Sequence, residues 1–328
     1  MSILYITEQG AKLKKEEKRI VIEKDENIIF EIPDFKIEKV FIFGNVQITT
    51  QALKFLLTSG IDTSFFTIYG KFIGKLQPVE SKNIFLRISQ FEKYKSEEFR
   101  TEISRKFVEG KIKNAKNLIL KYQRNHPEVD FSVHLEEMDK NLEELKRKNS
   151  VNSIMGIEGR TSAIYFECFG KMILKNFSFQ GRQPRNPKDP VNSLLSFGYS
   201  ILTSEVFSVL CAVGFDPYLG FLHSVDYGRP ALALDLMEEF RQPIIDRLVL
   251  EIINKEIIKE DGFKEEEDKV YLNEKSIKEF LAQYERRMLT EITYEDEIMN
   301  YRKLIYNQIK KFEKTILENS EYQPFELK

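Results

Sequence analysis

The chain has 328 residues, enough for one large domain or two ordinary ones, each with a real hydrophobic core. Its 42% hydrophobic and 31% charged content is that of a globular protein, and 50 basic against 52 acidic residues leave a net charge of −2. That balance excludes a global basic field, so any face for a polyanion has to arise from local segregation of charge.

Cys168 and Cys211 both sit in apolar, helix-like surroundings without CxxC spacing, which argues against a disulfide framework and against a thiolate zinc site. The N-terminal stretch lacks an apolar run of signal-peptide length, and no run approaches the roughly 18 apolar residues of a membrane span. A cytoplasmic protein without a membrane partner is expected.

Up to about residue 80 the period is mostly two. "SILYIT", "RIVIEK", "NIIFEI", "KVFIFG", "TSFFTIY" and "KFIGKL" read as short strands between Gly, Asp-Glu-Asn or Lys-rich breaks. Only "TQALKFLLTSG" interrupts, as a short helix closed by Gly60. From about residue 81 the period lengthens. Residues 83–124 form an amphipathic helix of many turns, with a break expected near Gly110, and 134–150 reads as a solvated helix face and its exit. Helical pattern continues almost to the C-terminus, except for the Pro-rich loop at 179–190 and a hairpin at 259–272. The expected architecture is α+β: a small β-rich domain over 1–80, followed by a larger all-α domain over 81–328.

Three stretches of the helical part carry residue types suited to chemistry. In "SVNSIMGIEGRTSAIYFECFGKMIL", Ser150, Asn152 or Ser153 caps a helix whose core stripe runs through Ile154, Ile157, Thr161, Ile164 and Cys168. Glu158 lies beside that stripe between Gly156 and Gly159, which suits a close approach by backbone or ligand, and Ser162 and Tyr165 follow on its face. In "FQGRQPRNPKDPVNSLLSFGY", Arg182, Arg185 and Lys188 precede a helix capped by Asp189 with Pro190 at its first position. That arrangement could seat a phosphate or be a solvated loop.

In "FLHSVDYGRPALALDLMEEFRQPIIDRL", the spacing predicts a helix from near residue 230 to Arg241-Gln242, with Pro243 in the first turn of the next. Asp235, Glu238 and Glu239 are three and four apart on it, and like charges so placed repel unless a cation relieves them. With the imidazole of His223 they read as a divalent-cation site; without it, as an exposed acidic stripe beside a capping histidine. Basic residues at 182, 185, 188, 229, 241 and 247 fall near these stretches, whereas acidic residues concentrate at 134–145 and 259–268.

"IMGIEGRTSAIYF", "RQPRNPKDPVNSLLSFGYSIL" and "GFDPYLGFLHSVDYGRPALALDLMEEFRQPIIDRLVL", in that order and spacing, resemble the CRISPR-associated endonuclease and integrase family, the catalytic subunit of spacer acquisition. The resemblance implies a catalytic set of Glu158, His223, Glu238 and Asp235. The first three would hold Mn²⁺ or Mg²⁺, and Asp235 is a second acidic position beside them, whereas Glu239 reads as surface. It implies that Tyr165, Arg182, Asn192 and Arg229 line a DNA path, to which charge adds Arg185 and Lys188. It further implies double-stranded and branched DNA as substrates, insertion of short duplexes into a CRISPR array by phosphodiester transesterification, and a homodimer formed through the N-terminal domain. A small ferredoxin-like adaptation protein is the implied partner. The rival readings are a helical metal-dependent phosphohydrolase of small phosphorylated substrates and a non-catalytic DNA-binding scaffold. The position of His126 and His134, in a charged region far from the motifs, speaks against the first.

Overall fold

The computed structural model describes residues 2–77, 83–175, 177–184 and 186–327. The expected domain boundary at 80–81 lies outside the described residues, as does Arg185. Two compact units emerge: Met1–Glu80 with Leu272–Leu281, and Ser81–Tyr271 with Ala282–Lys328.

The first unit carries two four-stranded sheets. One is ordered β1 (Ser2–Ile6), β5 (Ile37–Phe43), β7 (Asp62–Phe66), β8 (Phe72–Leu76), parallel except for the last pair. The other is ordered β4 (Asn27–Pro33), β3 (Arg19–Lys24), β2 (Lys12–Glu16), β6 (Gln47–Ile48). The Lys-rich segment at 12–16, expected to be a break, is strand β2, because Leu13 reaches the core, Lys12 and Lys14 alternate to the other face, and Lys15 lies over the Phe55 ring. The core joins Leu13, Ile20 and Ile22 to Ile6, Val40 and Ile42, and to Ala52 and Leu56 of α1 (Thr50–Thr58). Thr49 caps α1, and Gly60, at φ +65°, ends it as expected.

The second unit is helical: α2 (Ile84–Lys95), α3 (Glu97–Asn125), α4 (Ser132–Leu145), α5 (Val151–Lys171), α6 (Pro190–Val213), α7 (Ala231–Met237) and α8 (Arg247–Asn254). The chain continues through the hairpin β9 (Phe263–Glu266) and β10 (Lys269–Leu272), then α9 (Glu274–Met288), whose residues are divided between the two units, then β11 (Glu291–Tyr294), β12 (Glu297–Asn300) and α10 (Tyr301–Glu318). The second hairpin, 291–300, replaces the continuous helix expected there; its turn places Glu295 and Asp296 at positive φ.

The long helix over 83–124 does break, but at Ser96, whose side chain accepts from the Phe99 amide and starts α3, and not at Gly110. Gly110 sits inside α3 because a Cβ there would lie 2.7 Å from Pro324 of the C-terminal segment. Ser150 proves to be the cap of α5, and Ile154, Ile157, Thr161, Ile164 and Cys168 are all buried. Contrary to the absence of any such run in the sequence reading, α6 is long and apolar enough to cross a membrane; 72% of that window is buried in the fold, as a core helix would be.

α7 ends at Met237, earlier than expected, and residues 241–246 form a π-helical turn leading into α8. Pro243 has no N–H to donate, and the hydrogen-bond ladder widens around it. Glu238 and Glu239, consecutive in the turn before it, point in different directions and meet entirely different partners.

Candidate active site

Helices α3, α5 and α7 and the loop before α7 bring four of the singled-out groups together. Glu158, on α5, accepts a hydrogen bond from the Ser162 hydroxyl (2.9 Å) and pairs with the Lys111 ammonium of α3. The same ammonium lies 2.8 Å from Glu238 Oε2. Arg241 donates to both Glu238 oxygens at 2.8 and 3.0 Å, and its guanidinium stacks 4.1 Å above the Tyr199 ring. Lys111 is 7% exposed and Glu238 4%.

Burial alone would raise the Glu238 carboxyl, but the Arg241, Lys111 and His223 charges hold it down to about 2. Burial opposes ionisation of Glu158 too, and Lys111 keeps it below the ordinary range. Both groups are carboxylates at any working pH.

Asp235 has a different task. Its Oδ2 accepts the Phe221 and Leu222 amides at 2.6 and 3.0 Å; its Oδ1 accepts the His223 amide at 2.9 Å and faces His223 Nδ1 at 2.7 Å. A carboxylate can only accept, so Nδ1 carries the hydrogen, and in the neutral imidazole the Nε2 lone pair is left for another partner. Burial pulls the imidazole down, but Asp235 and Glu238 win and raise it. Gly220 permits this turn: a Cβ there would lie 2.7 Å from the Ala231 backbone and 2.8 Å from Asp235 Oδ2.

Glu239, expected at the surface, is fully buried. It accepts from the Tyr322 hydroxyl (2.6 Å), the Phe325 amide (2.7 Å) and Gln308 (3.2 Å), and so anchors the C-terminal segment. Asn114 fastens the same segment through Phe325 O and the Leu327 amide.

The other singled-out residues divide. Arg182 lines a cleft of about 810 Å³ with Lys111, Glu158, Lys171 and Arg241, while bonding to Asn192, Ser196 and Gln183 O. Asn192 is fully buried and clamps the 181–183 loop to α6, and Tyr165 is buried with its hydroxyl on Asp246 (2.7 Å). The α6 N-terminus, read as a possible phosphate seat, is already satisfied by Asp189, which accepts the Asn192 amide at 2.8 Å. Lys188 is exposed, and Arg229 pairs with Asp226 and Ser224 in the turn after His223. Gly156 and Gly159 face open space, with no protein atom where a Cβ would stand, so no backbone approaches there.

Lys111 escaped the sequence reading. The signal was present: it falls three after Val108 and four before Ala115, inside the apolar stripe of α3. As to a metal, no three His, Cys, Asp or Glu side chains among the described residues stand close enough to hold one. The donor chemistry nevertheless fits a divalent ion: two ionised carboxylates already converge on one cation, the Lys111 ammonium, and a tautomer-fixed imidazole acts electrostatically on Glu238.

Ionised acids and basic side chains at the edge of an open cleft of mixed charge are the residue types that phosphoryl-transfer enzymes use. The chain belongs to the Cas1 family: the model of CRISPR associated protein Cas1 matches residues 4–286. It is 32% identical over 330 residues to a CRISPR-associated endonuclease Cas1 of Thermus thermophilus, covering 99% of this chain and 97% of that one. A solved Cas1 protein from Thermotoga maritima superposes with a TM-score of 0.84 at 27% identity, over the whole of both chains. A casposase bound to integration product shares the fold, with a TM-score of 0.89 at 23% identity over 99% of this chain and 93% of that one.

Proposed function

We propose that this protein is a metal-dependent DNA endonuclease and integrase that inserts short DNA duplexes into a CRISPR array. The observation that carries the reading is the meeting of Glu158, from α5, and Glu238, from the turn after α7, on a single cationic position at the wall of the Arg182–Arg241 cleft. Glu158, Glu238 and His223 would hold a divalent ion, Mn²⁺ or Mg²⁺. Once bound, such an ion polarises the phosphoryl oxygens and stabilises charge developing on the leaving oxygen.

The chain's own groups supply the rest. Asp235 orients His223; Arg241, pinned on Tyr199, keeps Glu238 ionised; Ser162 positions Glu158. Arg182, Lys171 and Arg241 give the cleft wall positive charge for a phosphodiester backbone. A DNA 3′-hydroxyl attacks phosphorus, the new P–O bond forms as the old one breaks, and the departing 3′-oxygen takes up a proton. Water in place of the hydroxyl gives nicking. No protein nucleophile takes part.

Self-association through the first unit fits its exposed apolar groups Ile28, Ile29, Phe30 and Phe35. The small ferredoxin-like adaptation protein is the partner the family implies. The test is branched-DNA nicking and strand transfer with Mn²⁺ by Glu158→Ala and His223→Ala: both activities are expected to vanish, and wild-type rates in either variant overturn the assignment.

A further inference from the structure

Lys111 is a lysine among ligand-type carboxylates. Its ammonium is nearly buried, pairs with Glu158 Oε1, and lies 2.8 Å from Glu238 Oε2, which also accepts from Arg241. A divalent ion coordinating these oxygens would stand about 2.0–2.6 Å from them. An ammonium bonded to the same two atoms would then be driven hard against it, charge on charge in a poorly hydrated place.

The two cations already present are not equally free to yield. Arg241 donates through Nη1 to both Glu238 oxygens and is stacked on Tyr199. Both line the open cleft, but Lys111 is a point charge on a flexible four-carbon stem, so it swings out more readily than the stacked guanidinium. Resting on the reading of Glu158 and Glu238 as metal carboxylates, we propose that Lys111 competes with the divalent ion for these two side chains. It serves as an internal counter-ion that keeps them ionised and together, and that metal has to displace.

This assigns Lys111 a positioning and affinity-setting role with two opposed consequences. Removing it leaves two neighbouring carboxylates with less compensation, which lowers the stability of metal-stripped protein. It also removes the competitor, which tightens metal binding. A lysine with a merely structural role predicts the first effect without the second.

The experiment titrates Mn²⁺ by calorimetry into EDTA-stripped wild type, Lys111→Met and Lys111→Gln, and records melting curves with and without Mn²⁺. Methionine keeps the stem and loses the charge; glutamine keeps a donor for Glu158, and serves if the methionine variant does not fold. Mn²⁺ is expected to bind the variant at least about tenfold more tightly, at the lower end of what side chains around a metal's ligands exert. The melting point should fall without Mn²⁺ and rise by more than in wild type when Mn²⁺ is added. Unchanged or weaker Mn²⁺ binding by a folded variant, with wild type binding normally, overturns the competition and leaves the metal reading intact. Binding by neither protein overturns the metal reading itself, and this inference with it.

Discussion

Asp235→Asn isolates the one carboxylate of the cluster that touches neither Lys111 nor Arg241. The wild-type oxygens accept four N–H groups, from Phe221, Leu222 and twice from His223, at 2.6–3.0 Å. An amide of the same shape has a single oxygen. If that oxygen turns to Phe221 and Leu222, the NH₂ faces the His223 amide and Nδ1; Nδ1 must then accept, the hydrogen moves to Nε2, and the lone pair needed by a metal is lost. If it turns the other way, two buried backbone amides lose their acceptor. Either arrangement forfeits charge-assisted bonds and orphans donors at roughly 1–3 kcal/mol each, a total of about 3 kcal/mol or more. At about 2–4 °C per kcal/mol the melting point should fall by roughly 6–12 °C. Mn²⁺ affinity should fall by about 10–100-fold. Burial lowers the His223 pKa while Asp235 raises it, so the substitution also moves the imidazole titration downward. Scanning calorimetry, Mn²⁺ titration and ¹⁵N shifts of the His223 ring read the three effects. A variant that melts within a degree of wild type and binds Mn²⁺ within twofold would refute the assignment of Asp235 as organiser of this loop.

Gly220→Ala forces a methyl to 2.7 Å from the Ala231 backbone and should cost about 1–3 kcal/mol in the melt, with impaired DNA nicking. Gly159→Ala, in open space inside α5, should stabilise by roughly 0.5–1 kcal/mol in the melt, and a loss of stability would refute the reading of Gly159 as sterically unconstrained. Burial pushes Glu239 up to about 8, against the pull of Tyr322, Phe325 and Gln308, so the folded protein holds a proton that the unfolded chain releases above its ordinary value of 4.5. Stability should therefore fall as pH rises from about 4.5 to about 8 and level off beyond; Glu239→Gln should flatten that slope in denaturant titrations across this window, and an unchanged slope would exonerate Glu239. Cys168 is fully buried, and burial raises its thiol to about 12, so at pH 8 iodoacetamide should spare it in native protein and label it in denaturant, as peptide mass mapping would show.

What the sequence by itself determined is local. The Ser150 cap and the Ile154–Cys168 stripe of α5, the Asp189–Pro190 start of α6 and the Gly60 end of α1 are decided within a few residues, and each stands where periodicity and capping chemistry put it. The GIEG, histidine and acidic-helix motifs singled out Glu158, His223, Glu238 and Asp235, proposed as the site, and the fold brings Glu158 to Glu238 through Lys111 and His223 to Asp235. The tertiary structure decided which charges are buried and by whom. Lys111 falls in the apolar stripe of α3, but nothing near it in sequence explains a lysine there until α5, 47 residues on, brings Glu158 against it. Glu239 looks like surface until Tyr322, 83 residues later, closes over it, and the same segment explains why Gly110 continues a helix instead of breaking it. Asp235 and Glu238 are indistinguishable by spacing alone. One lies under a turn of backbone amides and the other between two cations, and the energy of a buried charge is set by partners that only the folded chain brings within reach.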